Sequence, residues 1–225
     1  MVDFHSHILP GADHGSRNVE TSLAQIKLAQ DCGVGRIIAT PHFYAHRMSV
    51  QEFLKLRTEA YLRLLPHIDS SIIRLAAEVL ICDNIQNLPG IEQLCIYGTN
   101  MLLLELPFND FDKSYKYVVT DLKTKGIDVI LAHADRYQPE NIEVMLSAGA
   151  KIQLNADALD VFFKKRHLYD WMERGLVVAL GSDIHGEDKN AYKHFIQAMK
   201  KMGKHLPFVE NCSNEIWDKS SIYPV

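Results

Sequence analysis

The chain has 225 residues, of which 47% are apolar and 23% charged, with 24 basic side chains against 28 acidic ones and a formal net charge of -4. This composition suits a globular protein with a substantial core and excludes a disordered, collagenous or coiled-coil chain. It gives no electrostatic footprint for nucleic acid or for an anionic membrane surface. No apolar run is long enough to span a bilayer, and the opening MVDFHSH lacks the basic and apolar regions of a signal peptide, so a cytoplasmic location is expected. Cys32, Cys82, Cys95 and Cys212 are scattered without C-x-x-C spacing, as in reduced thiols of that compartment. Against these 4 cysteines stand 11 histidines, a residue useful mainly for metals and protons.

The predicted elements alternate along the chain. A strand at 2–4 precedes a helix whose face carries Val19, Leu23, Ile26 and Ala29, with Gly33 as its terminator. Then come a strand at 36–40, a helix at 49–65, a strand at 72–77, and a less regular stretch at 80–100 holding a short helix and a loop. Strands at 101–104, 128–132, 151–154 and 177–180 follow, separated by helices at 113–126, 139–148 and 160–174. Helices at 188–202 and 206–218 end the pattern. The seven strand runs are rich in Ile, Val and Leu and do not alternate with polar residues, as expected of strands covered on both faces. Repeated strand-then-helix order predicts a parallel α/β fold in a single domain; a barrel and an open doubly wound sheet both fit.

Chemistry-bearing side chains fall at the ends of these runs. His5 and His7 follow the first strand, and two residues apart in extended backbone they face the same side. His42 follows the second strand, Glu78 the third, Glu105 the fourth and His133 the fifth; Asp183 and His185 follow the seventh. Parallel α/β proteins place ligands at the carboxyl ends of their strands, so these residues converge on one crevice. Five imidazoles and three carboxylates there need cations to offset charge and use the nitrogen lone pairs. Without thiolate, the donor set suits Mn, Fe or Zn, and eight donors imply two or three ions. His67, His167, His194 and His205 lack this pattern and read as surface or packing residues; His46 and Arg47 read as solvated loop residues.

At these residues the chain resembles the polymerase and histidinol phosphatase (PHP) superfamily, and more closely the bacterial manganese-dependent protein-tyrosine phosphatases of capsule and exopolysaccharide loci. The matching stretches are DFHSHILPGADHGS, GVGRIIATPHF, AAEV, LLLELPF, VILAHADRY and GSDIH, spanning residues 3 to 185 in family order. The resemblance implies a distorted TIM-like barrel of seven βα units, with the whole of 1–225 as one PHP-type domain. It implies one ion on His5, His7, Glu78 and Asp183, a second on Glu78, Glu105 and His133, and a third on His42, His185 and a residue of the loop after the first strand. Where the family has Asp-Asp-Gly in that loop, this chain has Asp13-His14-Gly15. Either His14 coordinates, or Asp13 swings in, or the third ion is weakly held or absent.

Arg136 matches a family arginine that binds substrate phosphate. At the place of a second family arginine stands Asn190, with Lys189 beside it as a substitute charge. The implied activity is hydrolysis of a phosphomonoester by metal-bound hydroxide, with manganese the first choice of ion. His42 or His185, if protonated, would assist the leaving group, a role that metal ligation would remove. The implied substrate is a phosphotyrosine-bearing protein, including the tail of a cognate tyrosine kinase. The alternatives are a small-molecule phosphatase, such as one for histidinol phosphate, and a catalytically impaired metal-binding regulator.

Overall fold

The computed structural model describes residues 1–160 and 165–224. Among these residues are nine strands: β1 (Val2–Ser6), β2 (Arg36–Ala39), β3 (His42–Phe43), β4 (Ile73–Leu75), β5 (Glu78–Leu80), β6 (Met101–Glu105), β7 (Asp128–Leu131), β8 (Lys151–Asn155) and β9 (Val177–Gly181). All pair in parallel, in the orders β1-β2-β4 and β3-β5-β6-β7-β8-β9.

The predicted strands at 36–40 and 72–77 are present as β2 and β4, and each is followed by a short strand the prediction lacked, β3 after β2 and β5 after β4. Pro41 offers no N–H to a ladder, and the chain bends at Thr40-Pro41 and again at Ala76-Ala77. The bends stay in register: Ala76 N donates to Ala39 O at 2.9 Å and Glu78 N to Pro41 O at 3.1 Å. Both sheets therefore belong to one ribbon with seven strand positions. The ribbon closes where Asp183 N donates to His5 O at 2.8 Å and His7 N to Ile184 O at 3.2 Å.

The described residues also form eight helices: α1 (Val19–Asp31), α2 (Val50–Leu64), α3 (Tyr115–Thr124), α4 (Pro139–Ser147), α5 (Ala156–Leu159), α6 (Arg166–Glu173), α7 (Ala191–Met202) and α8 (Leu206–Lys219). Ser49 and Glu52 form a reciprocal capping box that starts α2. The predicted helix at 160–174 contains α6, its portion at 161–164 lies outside the described residues, and the short α5 precedes it. Two short 3-10 turns, Ile85–Asn87 and Ile91–Leu94, occupy the irregular 80–100 stretch.

Alternate strand residues face two apolar layers. Ile37, Leu102, Leu104, Val129 and Leu131 pack outward against the helices. Phe4, Ile38, Leu103, Ile130 and Val178 face inward, where Ile216 and Trp217 of α8 join them. The partners of α8 lie where strands begin: Ser213 Oγ donates to Val178 O, and Trp217 packs under Arg36 and Arg74. Thus α8 plugs the amino-terminal end of the ring and leaves the carboxyl end for polar residues.

Candidate metal centre

His5 and His7 are fully buried, and each has its outer ring nitrogen tied down. His5 Nδ1 donates to Gln153 Oε1 at 3.1 Å, and His7 Nδ1 donates to Asp13 Oδ2 at 2.7 Å. A neutral imidazole so held must turn a bare Nε2 lone pair inward. Those two Nε2 atoms lie 3.1 Å apart, and both lie 3.1–3.5 Å from Glu78 Oε2 and Asp183 Oδ1. Lone pairs and carboxylate oxygens at this spacing repel unless a cation or protons intervene. Ligands about 2.1 Å from a shared ion lie roughly 3.0–3.4 Å apart, so the set has the size that a divalent ion requires.

Glu78 begins β5 and is also buried. Its Oε1 is 2.8 Å from His133 Nε2, which is 3.7 Å from Glu105 Oε1, while His42 Nδ1 lies 2.9 Å from Glu78 Oε2. Burial would raise the Glu78 carboxyl, but the charge on His5 and the bond with His133 hold it well below the usual carboxylate range. Glu105 is pushed up to about 8, by burial first and then by the charge of Glu78. Two carboxylates this close cannot both stay ionised cheaply without cations between them.

Among the described residues, buried His133 Nδ1 and His185 Nε2 have no hydrogen-bond partner, and His42 Nδ1 and Glu78 Oε2 face each other at 2.9 Å without hydrogen-bond geometry. His185 Nδ1 donates to Asp183 O at 2.9 Å, so the orphaned Nε2 carries the lone pair. Ligand-spaced groups can be drawn as His5, His7 and Asp183; as His7, His42 and His185; and as His42, Glu78 and Glu105. The donor set fits metal ions, with His42 reaching both of its neighbouring groups. Asp183 and His133 hold left-handed backbone, with φ of 50° and 32°, a strain that often marks functional positions.

The third-site question resolves into two different placements. Asp13 is turned away from the lone pairs: it bonds His7, and it accepts from His42 N at 3.0 Å and Gly15 N at 2.8 Å. Asp13 therefore orients the His7 imidazole and pins the His42 backbone, and it is held well below the usual carboxylate range against its burial by His7. His14 is exposed, with its ring stacked 4.8 Å from His42 and 4.7 Å from His185, yet it joins none of the ligand-spaced groups. Gly15 passes so close to His7 that any side chain there would collide with it.

Arg136 reaches the cluster directly: its Nη2 pairs with Asp183 Oδ2 at 2.6 Å, with the side chain 43% exposed. Lys189 is exposed and lines a separate groove with Asn18, Thr21 and Gln25, away from the recess that Arg136 shares with Asn155 and Ser182. Arg47 lies 4.7 Å above the Tyr44 ring, and Tyr44 stacks 5.4 Å from His42. His46 is exposed beside the same tyrosine. His194 pairs with Asp160, His205 with Glu173, and His167 packs on Trp171. No cysteine joins the ligand-spaced groups found among the described residues, and burial pushes the Cys95 thiol up to about 12.

Sequence reasoning missed the contribution of β8. Gln153 Oε1 also accepts from His133 N at 2.8 Å, and its Nε2 donates to Asn155 Oδ1 at 2.9 Å. Asn155 Nδ2 then donates to Asp183 Oδ2 at 3.0 Å. The signal was present: Gln153 is a polar residue inside an apolar run, on the one predicted strand that lacked a ligand at its end.

A ring of parallel strands with imidazoles and carboxylates gathered at one end defines an α/β protein with a candidate metal centre. The family model for capsular polysaccharide synthesis, CpsB/CapC, matches residues 1–217, and the chain belongs to that family. Among curated relatives, the tyrosine-protein phosphatase YwqE of Bacillus subtilis is 26% identical, covering 93% of this chain and 88% of its own length. The tyrosine-protein phosphatase CpsB of Streptococcus pneumoniae is 27% identical, covering 84% of each. A solved structure from work on YwqE and CpsB, described as unique metal-dependent tyrosine phosphatases, superposes with a TM-score of 0.79 at 23% identity. It covers 99% of this chain and 96% of that one, which establishes the shared fold.

Proposed function

We propose that the chain is a metal-dependent protein-tyrosine phosphatase serving capsular or exopolysaccharide synthesis, with 1–225 as one catalytic domain. The observation that carries this reading is the convergence of His5, His7, His42, Glu78, Glu105, His133, Asp183 and His185 beside the Arg136 guanidinium. These residues would hold two or three divalent ions, manganese first and iron or zinc also compatible. Such ions supply an activated water and offset charge on the phosphate oxygens.

The chain's own groups do the rest. Asp13 and Gln153 fix the tautomers of His7 and His5, so the inward nitrogens stay free. Arg136 is braced by Asp183 and presents its remaining N–H groups to a phosphate oxygen. The Tyr44 phenol, pushed up to about 12 by burial and by Glu105, stays protonated and can donate a hydrogen bond at the mouth. A phenolate leaving group has a pKa of about 10, so it needs less protonation than an alkoxide. That relieves His42 and His185 of acid duty and leaves them to ligation. The substrate in this reading is a phosphotyrosine-bearing protein, including a cognate tyrosine kinase, met in the cytoplasm. No helix among the described residues is long and apolar enough to cross a membrane.

The test compares manganese-loaded protein on phosphotyrosine peptides and on histidinol phosphate. Higher kcat/KM on the peptides supports the proposal; much faster turnover of histidinol phosphate replaces it with a small-molecule phosphatase. Loss of activity in both His133→Ala and Asp183→Ala is expected. Activity surviving in both, with metal content unchanged, removes the site assignment, and absence of any hydrolysis in the loaded native chain favours the regulator.

A further inference from the structure

The opposite end of the ring holds a second concavity. Its volume is about 300 Å³, and it lies between α8 and the amino-terminal ends of β6 to β9, away from every candidate metal ligand. Its floor is the inner apolar layer. Val178 at 8% and Ile216 at 7% are the most solvent-accessible buried members of that layer, while the other strand residues in it are at 2% or below. Met101 and Cys212, which pack on the same layer while only partly buried, line the cavity as well. The plug therefore stops short of β6 and β7, and the inner layer meets solvent at this opening.

The rim is basic. Lys123, Lys151 and Lys219 surround the opening, and none has a hydrogen-bond or ion-pair partner among the described residues. Two carboxylates also line it: Asp128, engaged by Asn100 Nδ2 at 3.0 Å, and Glu215. An apolar floor under unpaired ammonium groups complements a ligand with an apolar body and an anionic head. The volume is at the lower end of small-molecule sites, roughly 300–1,000 Å³.

We infer that this basal cavity is a binding site for a small organic anion with an aromatic or short aliphatic body. It is independent of the phosphatase reading, because it uses none of the same residues. Cys212 provides the readout, since its thiol lines the cavity while Cys32 and Cys82 are partly buried elsewhere. The probe is 1-anilinonaphthalene-8-sulfonate, with alkylation of each cysteine by iodoacetamide followed by mass spectrometry on the native, metal-loaded chain. Saturating probe is expected to slow alkylation of Cys212 at least tenfold and to change Cys32 and Cys82 less than twofold. Lys151→Glu and Lys219→Glu, both exposed substitutions, are expected to raise the half-protecting concentration at least tenfold. Equal slowing at all three cysteines, protection unaltered in both lysine variants, or equal protection by inorganic sulfate overturns the inference. So does new reactivity of the buried Cys95, which would mean that the probe opens the fold.

Discussion

In the candidate metal centre His5, His7 and Asp183 form one set, His14 and His185 a second beside it, and the two are held differently. Each member of the first set has a side chain no more than 5% exposed and is gripped from behind: His5 by Gln153, His7 by Asp13, Asp183 by Asn155 and Arg136. In the second set the hydrogen bond of His185 goes to a backbone carbonyl, its ring stacks on His7 with 30% of the side chain exposed, and His14 rests on neighbouring rings. Precise placement of a ligand needs a partner whose own position is fixed, and only the first set has such partners. The departure from the family loop, His14, falls in the set that solvent already reaches. The difference teaches where substitution is affordable.

Substitution in the gripped set should do most damage. Asp183→Asn keeps the shape but removes the charge shared by His5, His7 and Arg136. We expect kcat/KM on a phosphotyrosine peptide to fall by roughly a thousandfold, with loss of bound metal measured by elemental analysis. Arg136→Lys should lower kcat/KM about a hundredfold while metal content stays put, because an ammonium cannot offer a planar fork. A drop in metal content there would mean that Arg136 acts by bracing Asp183 instead. Gln153→Leu, which removes both bonds to the histidine ligands, should weaken metal affinity by about 10–100-fold in a chelator competition.

Chelation sharpens the comparison through pH. Burial lowers the pKa of His5 and His7, yet the Glu78 and Asp183 charges at His5 and the Asp13 bond at His7 raise both above the ordinary value. A raised histidine stabilises the fold fully below the unfolded value of about 6.5 and loses that contribution as pH rises through the folded value. Chelator-treated protein should therefore melt lower as pH is taken upward from 6.5, by roughly 2–4 °C for each kcal/mol lost in a chain of this size. Metal-loaded protein should show a flatter profile over the same range, and equal slopes in differential scanning would sink this account. The smallest effect belongs to the loose set: His14→Asp should change kcat/KM less than about tenfold.

Residues at strand ends were legible because a parallel fold turns sequence position into spatial position. Once β1, β6, β7 and β9 are read, the place of His5, Glu105, His133 and Asp183 follows. The partners behind them were not legible: Gln153 is 148 residues from the histidine it holds, and no local pattern ties the two. Asp13 looked like a spare ligand because its neighbour occupies the family's ligand position; only the direction of its carboxylate shows that it serves His7. The short strands β3 and β5 were half visible, since a proline marks the break before the first, whereas Ala76-Ala77 before the second read as the end of an apolar run.

The seam between β1 and β9 has a consequence for how the protein is made. His5 leaves the ribosome early, but Asp183 follows only after roughly ten to forty seconds at about 5–20 residues per second. Until then the first two imidazoles lack their carboxylate, their hydrogen-bonded strand neighbour and the wall that excludes water. Contacts of this sequence separation form late because the chain must close a long loop first. Tight metal uptake would thus certify a finished chain, and a truncated product would be left without its cofactor.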